Sequence, residues 1–311
     1  MEYLTDTDQE LDIGLVNRAV EAAFADHGRG EVQMPPKVYV TLEKGDFRTM
    51  PAYLPTLSIA GVKIVNVHPK NPEKGLPTVM ALTIILDIDT GCPVAILNAT
   101  RLTDMRTGSA GAVAAKHLTP KTEVILGVVG TGRQAEAQVM ATARELKVRQ
   151  LKVWSRDPAH AERFLERFRE FDCMTESLER VCDCDVLVTT TPSRTPLIRN
   201  EWIHEGMHIN AIGADAPGKQ ELDPAILARA QVFVDDPAQA VHSGEINVPI
   251  RNGLYRERDI SGTIGEVVIG RKKRRDKDAV TVFDSTGLAI QDLAIAKIAL
   301  QHGKRIDLPF P

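Results

Sequence analysis

Ile125-Leu126-Gly127-Val128-Val129-Gly130-Thr131-Gly132-Arg133-Gln134-Ala135-Glu136-Ala137-Gln138 reads as a buried strand that turns at two glycines into a polar-faced helix. Gly130 permits the tight turn, Gly132 lets a pyrophosphate approach the backbone, and Ala135 lets the helix pack against the strand. The N–H groups that open such a helix have no partner within it and favour an anion. A Gly-x-Gly-x-x-Ala run alone is weak evidence, because an ordinary glycine turn imitates it. The flanking segments decide between the two.

Toward the C-terminus the pattern alternates. Residues 151–154 read as a strand, and Asp157-Pro158 supplies an N-cap and a first-turn proline for a helix ending near residue 170. Strand-like runs follow at 185–189, 208–212, 232–234 and 280–283, with a helix at 224–230. Near-continuous apolar strands alternating with helices predict a parallel sheet covered on both faces, an α/β, Rossmann-type doubly wound domain over 120–285. With a strand before it and a helix after it, the glycine loop becomes a phosphate seat.

Toward the N-terminus, Thr7-x-x-Glu10 has the form of a capping box before an amphipathic helix reaching His27-Gly28. Short β-rich runs at 37–42, 62–67, 83–88 and 94–97, with a loop at 69–77, predict a small sheet over 35–98. Residues 104–118 read as a helix crowded with small residues that admit a close neighbour. Residues 286–303 read as a long buried helix that packs back on the N-terminal region. A second, smaller α/β domain therefore spans 1–119 and is completed by 286–311.

The composition points to small-molecule chemistry. Lys plus Arg 38 against Asp plus Glu 42 gives a net charge of −4, which is no footprint of nucleic acid or of a membrane surface. The basic run at 271–275 is followed by Asp276 and Asp278 and reads as a solvated loop. Cys92, Cys173, Cys182 and Cys184 have no metal or redox spacing and read as reduced structural thiols. The acidic N-terminus is unlike a secretory signal and no apolar run approaches a membrane span, so a cytoplasmic protein is expected. No histidine pair has ligand spacing, and no metal is expected.

Several residues are candidates for chemistry. Lys63 shares a strand face with Val65 and Val67, and a lysine desolvated among apolar neighbours acquires a proton affinity suited to acid/base work. From the strand alone, a lysine snorkelling at a sheet edge is the commoner reading. Arg48, in Asp46-Phe-Arg-Thr-Met-Pro51, offers a bidentate fork to a carboxylate or is simply a surface arginine. Arg106 begins the small-residue helix, where cation and helix N–H groups suit a phosphate jointly. Asp215 follows a strand at its carboxyl end, where open parallel sheets place ligands; it activates a water or makes an Asx turn before Pro217-Gly218. Ser155-Arg156 stands where NAD-binding folds generally carry a carboxylate, so NADP is accommodated at least as readily as NAD.

With these residues in hand, the chain resembles the ornithine cyclodeaminase and μ-crystallin family, and within it the archaeal alanine dehydrogenase branch. The segments that carry the resemblance run over nearly the whole length. They are Met34-Pro-Pro-Lys-Val-Tyr, Gly45-Asp-Phe-Arg-Thr-Met-Pro, Val65-Asn-Val-His-Pro-Lys-Asn-Pro, Gly75-Leu-Pro-Thr-Val-Met-Ala-Leu and Leu102-Thr-Asp-Met-Arg-Thr-Gly in the first part. Cys184-Asp-Val-Leu-Val-Thr-Thr-Thr-Pro-Ser-Arg, His208-Ile-Asn-Ala-Ile-Gly-Ala-Asp, Gly218-Lys-Gln-Glu-Leu, Gly244-Glu-Ile-Asn-Val and Phe283-Asp-Ser-Thr-Gly-Leu-Ala-Ile-Gln-Asp follow the glycine loop.

The resemblance implies that Lys63 is the acid/base near the substrate nitrogen, that Arg48 grips the substrate carboxylate and that Asp215 handles the water. It implies that Arg106 and Thr107 touch the phosphates of NAD or NADP. Further cofactor contacts fall by position on Gly130, Thr131, Gly132, Arg133, Gln134, Ser155, Arg156, Thr190, Thr191, Pro192, Gly213, Ala214, Ser285 and Thr286. It also implies a homodimer paired through the N-terminal substrate-binding domains. Cyclodeaminases for diamino acids generally place a glutamate where Arg48 stands, to meet the distal ammonium; an arginine repels it. The implied activity is reversible oxidative deamination of L-alanine to pyruvate and ammonia. Its alternatives are ornithine or lysine cyclodeamination, cyclic imine reduction, and a non-catalytic NADP-binding protein.

Overall fold

The computed structural model describes residues 1–310, which form two compact units, one of Met1–Arg106 with the residues from Leu288 onward and the other of Thr107–Gly287. In the first unit β1 (Glu2–Thr5), β2 (Val38–Leu42), β3 (Gly45–Leu54), β4 (Ile59–Val67), β5 (Val79–Leu86), β6 (Pro93–Asn98) and β15 (Lys304–Asp307) make a mixed sheet in the order β15-β1-β6-β5-β4-β3-β2. Helices α1 (Ile13–Arg29) and α10 (Ala289–Ala299) accompany it. Helix α10 contacts α1, β3, β4 and β5, which explains why it is buried along most of its length.

In the second unit β7 (Glu123–Val129), β8 (Lys147–Trp154), β9 (Asp172–Thr175), β10 (Val186–Thr189), β11 (His208–Ala211), β12 (Gln231–Val234), β13 (Gly262–Thr263) and β14 (Thr281–Asp284) pair in the order β13-β12-β14-β11-β10-β7-β8-β9. Every pairing is parallel, as the apolar strand pattern predicts. The helices are α2 (Thr100–Leu118), which begins in the first unit, α3 (Arg133–Glu145), α4 (Pro158–Leu165), α5 (Leu178–Val181), α6 (Pro224–Arg229), α7 (Pro237–Ser243), α8 (Asn247–Arg251) and α9 (Ile264–Val268). Two apolar clusters form the core, one around Leu126, Val139, Leu151 and Phe164 and the other around Leu187, Ile209, Val232 and Val282.

Several local expectations are corrected. Helix α1 is capped by Asp12, whose carboxylate accepts from the Leu15 N–H, rather than by the Thr7 box. It runs through Gly28 to Gly30, the residue that adopts the left-handed conformation with φ 75°. The segment containing Arg48 is the strand β3, which the proline at 51 conceals. Position 51 is tolerated because β2 pairs only as far as Thr49, and the Tyr53 N–H, two residues on, points to the same side and reaches Gln33. The compact units divide at Arg106/Thr107, within α2, instead of near 119. The cause is close packing, since a Cβ on Gly108 would lie 2.3 Å from the Ala137 carbonyl oxygen on α3. In the basic run, Arg274 leaves the solvated loop and donates to the Leu118 carbonyl at the end of α2.

Candidate functional site

In the first unit, strand register brings the cationic candidates to one face of the sheet. Arg48 lies opposite Val65, Lys63 lies opposite Met50 and Thr83, and Tyr39 lies opposite Arg48. Lys63 is 0% exposed on a strand with neighbours on both sides, which removes the snorkelling alternative. Its Nζ donates to Asp292 Oδ1 at 2.7 Å, and Arg106 Nε donates to the same oxygen at 2.9 Å. Burial foremost, and then the Arg106 guanidinium, push the lysine down to about 7, against the pull of Asp292. Lys37 adds to the downward push.

Arg48 is buried, with Nε donating to Asp46 Oδ1 at 2.9 Å and its guanidinium 5.0 Å from the centre of the Tyr39 ring. Lys37 lies 5.6 Å from the same ring centre and is also buried. Four buried cations, Lys37, Arg48, Lys63 and Arg106, thus share this unit with the carboxylates of Asp46 and Asp292. The place expected for Arg106 is corrected: α2 begins at Thr100, so Arg106 sits well inside the helix, away from its first-turn N–H groups. Its guanidinium reaches Asp292 and Gln291 instead.

In the second unit, Gly130 has φ 107° and a Cβ there would lie 2.7 Å from Thr190 Oγ1, so only glycine fits the turn. Gly132 caps α3 without a side chain, Ala135 is fully buried, and Arg133 and Gln134 form the first turn of the helix. Thr131 Oγ1 donates to Ser155 Oγ at 3.3 Å, which joins the loop to the end of β8. Arg156 is exposed, whereas Asp157 is occupied as the N-cap of α4, accepting from the Ala159 N–H. This donor set fits a dinucleotide phosphate at the open end of a 13-residue helix.

The remaining candidates lie at the carboxyl ends of the parallel strands. Thr190 donates to the Val129 carbonyl, and Thr191 offers both N–H and hydroxyl to Glu221. Glu221 is fully buried and also accepts from Thr189 Oγ1 and from the Gly213 N–H. Burial pushes its carboxyl above the usual range against the pull of these donors. Pro192 and Ala214 continue the same two loops. Thr286 gives its N–H and hydroxyl to the buried Asp235, and Ser285 N–H reaches the Ala211 carbonyl. Asp215 is paired with Lys219 at 2.5 Å. Thr107 is buried, and its carbonyl accepts from Gln138.

A parallel sheet with a glycine loop, and a buried lysine on the same sheet face as a buried arginine, are now in view. The model of the ornithine cyclodeaminase/mu-crystallin family matches residues 1–303. The chain belongs to that family. It is 47% identical over 310 residues to alanine dehydrogenase of Archaeoglobus fulgidus, covering 97% of this chain and 95% of that protein. A solved archaeal alanine dehydrogenase dimer with bound NAD superposes with a TM-score of 0.94 at 46% identity, over 99% of both chains. Delta(1)-pyrroline-2-carboxylate reductase of Thermococcus litoralis, solved with NADH and L-proline, also gives 0.94, at 32% identity over 99% of this chain and 100% of that one.

The structure thus gathers Lys63, Arg48 and Arg106 in one unit, and the glycine loop, Ser155, Thr190, Thr191, Gly213 and Asp215 at strand ends of the other. Sequence reasoning assigned nothing to Lys37, Asp292 or Glu221. All three stand inside segments that carry the family resemblance, and that was the signal available.

Proposed function

We propose that the protein catalyses reversible NAD(P)-dependent oxidative deamination of L-alanine, giving pyruvate and ammonia. The observation that carries this reading is Lys63, an amine fully buried and poised near neutrality on the sheet face that also presents Arg48. Arg48, with Lys37 beside it, binds the substrate carboxylate, and Lys63 takes a proton from the substrate amine. A nicotinamide dinucleotide, held by the glycine loop at 130–132 and the first turn of α3, would supply the hydride acceptor for the substrate α-carbon. Asp215 removes a proton from the water that adds to the substrate imine, Lys63 returns a proton to the departing nitrogen, and the hydroxyl proton of the adduct passes to the released ammonia as the carbonyl forms. Lys219, paired with Asp215, holds that carboxylate in place.

An arginine at position 48 disfavours a substrate with a distal ammonium, which supports a compact neutral amino acid over ornithine or lysine. The likeness to the pyrroline-carboxylate reductase supports a second reading, reduction of a cyclic 2-imino carboxylate, because the same cations suit that anion. Arg156, with Asp157 committed to capping, supports use of NADP as well as NAD. We also infer a homodimer formed through the outer face of the first unit's sheet, where Val38, Ile64 and Leu82 lie in one cross-strand row and are each more than a third exposed.

Absorbance of NADH and NADPH, followed with pyruvate plus ammonia, ornithine, lysine and Δ1-pyrroline-2-carboxylate, tests the reading. Turnover of pyruvate with ammonia is expected, and Lys63→Ala lowers it by about 100-fold or more. Proline formed from ornithine without net cofactor reduction overturns it.

A further inference from the structure

Asp292 stands in the first turn of α10 and presents one oxygen to two cations, Lys63 Nζ at 2.7 Å and Arg106 Nε at 2.9 Å. All three side chains are buried, Lys63 completely. Arg106 is fixed from a second direction, because its Nη1 donates to Gln291 Oε1 at 2.9 Å. The Leu288 N–H also donates to that amide oxygen, so the start of α10, the guanidinium and the carboxylate form one hydrogen-bonded frame around the lysine. A carboxylate within hydrogen-bond reach favours the ammonium, and a guanidinium held on the same oxygen favours the neutral amine.

We propose that Asp292 and Arg106 are positioning residues that fix the Lys63 amine and act on its charge in opposite senses. This rests on the reading of Lys63 as the acid/base, and it gives Arg106 a place in the substrate-side unit in addition to the cofactor role implied by resemblance. Neither residue needs to touch substrate to do so. The other groups facing Lys63 are Lys37 ahead of β2, which also favours the neutral amine, Arg48 with its Asp46 on β3, and the uncharged Thr83 and Met50 directly opposite. The opposed pair is therefore Asp292, bonded to Lys63, and Arg106, held on the same carboxylate oxygen. A purely structural ion pair between Arg106 and α10 would alter stability on removal but would not shift the lysine in opposite directions.

The experiment is NMR titration of the full-length protein labelled with 13Cε-lysine, with the Lys63 signal assigned by its loss in Lys63→Arg. Asp292→Asn is expected to lower the Lys63 midpoint by about one pH unit or more, and Arg106→Gln to raise it by about the same amount. Midpoints that stay put or move in the same direction overturn the proposal. If Asp292→Asn does not fold, Arg106→Gln decides alone, since an unchanged or lowered midpoint contradicts it. Turnover measured across pH at saturating cofactor separates the two claims. If the midpoints move oppositely while the pH limb of turnover does not follow them, the frame stands and the acid/base role of Lys63 falls.

Discussion

Lys63, the acid/base of the proposed reaction, is a fully buried amine whose proton affinity also bears on stability. Held near 7 by burial and by Arg106, it is an amine able to accept a proton above neutrality and an ammonium able to donate one below it. Alanine oxidation should therefore rise with pH through about 7, with that limb missing in Lys63→Met. The same shift fixes the sign of a stability effect. Between about 7 and 10.5 the unfolded chain keeps a proton on this lysine that the folded protein has released, so stability increases with pH across that window. Below it both states are protonated and the cost of burial is carried in full. Denaturant midpoints should show Lys63→Met as the more stable protein at neutral pH, with the gap closing by up to about 1.4 kcal/mol per pH unit on alkalinisation. Tyr39 works at the same scale. Its ring lies near both Lys37, just ahead of β2, and Arg48 on β3, two groups of like charge. Tyr39→Leu should raise KM for pyruvate on the order of fivefold while leaving kcat and cofactor KM unchanged, and Tyr39→Phe, which keeps the ring, should resemble the wild type.

At the scale of elements, the ends of the parallel strands are tied by buried carboxylates instead of by sequence-local turns. Glu221 collects four donors, the Thr189 hydroxyl at the end of β10 and, from the loops after β10 and β11, the Thr191 hydroxyl and the N–H groups of Thr191 and Gly213. Removing it takes the acceptor from the Thr191 N–H and from the Thr189 and Thr191 hydroxyls, and a buried donor left unsatisfied costs about 1–3 kcal/mol. Glu221→Ala should lower the unfolding free energy by on the order of 3 kcal/mol and weaken cofactor binding, both measurable by denaturation with and without NAD. These ties were not legible beforehand because a glutamate in Gly218-Lys-Gln-Glu-Leu looks like any polar loop residue. Its four partners are brought together only by strand pairing. Strand β3 was missed for a related reason: Pro51 breaks the local pattern, and only the early end of β2 makes the missing N–H harmless. Six of the second unit's eight strands were legible because their apolar runs need no partner to be recognised, whereas β9 and β13 have no such run and take shape only by pairing with β8 and β12.

For the whole molecule, the row of Val38, Ile64 and Leu82 is an apolar surface that water covers poorly. Light scattering should give a dimer for the wild type and a monomer for Ile64→Glu, with the circular dichroism of the fold retained, because a charge facing outward disturbs the pairing and not the core. Among the described residues no helix is long and apolar enough to cross a membrane. The division of the chain inside α2 belongs to this scale too. Gly108 and Gly111 bring the later turns of the helix against α3, and Arg106 remains with Asp292 in the first unit.

By itself the sequence determined the class of the second unit, the phosphate-seat loop and the identity of the family, since each rests on local pattern or on residue order: period, glycine spacing and ordered segments. It also pointed to Lys63 and Arg48, because an ionisable residue in an apolar strand and an arginine before Met-Pro stand out in one dimension. Only the tertiary structure decided what Lys63 is. Its burial and its bonds to Asp292, 229 positions away, and through that oxygen to Arg106, follow from sheet register and from the return of α10 to the sheet. Proton affinity depends on distance in space, and no local sequence pattern encodes that.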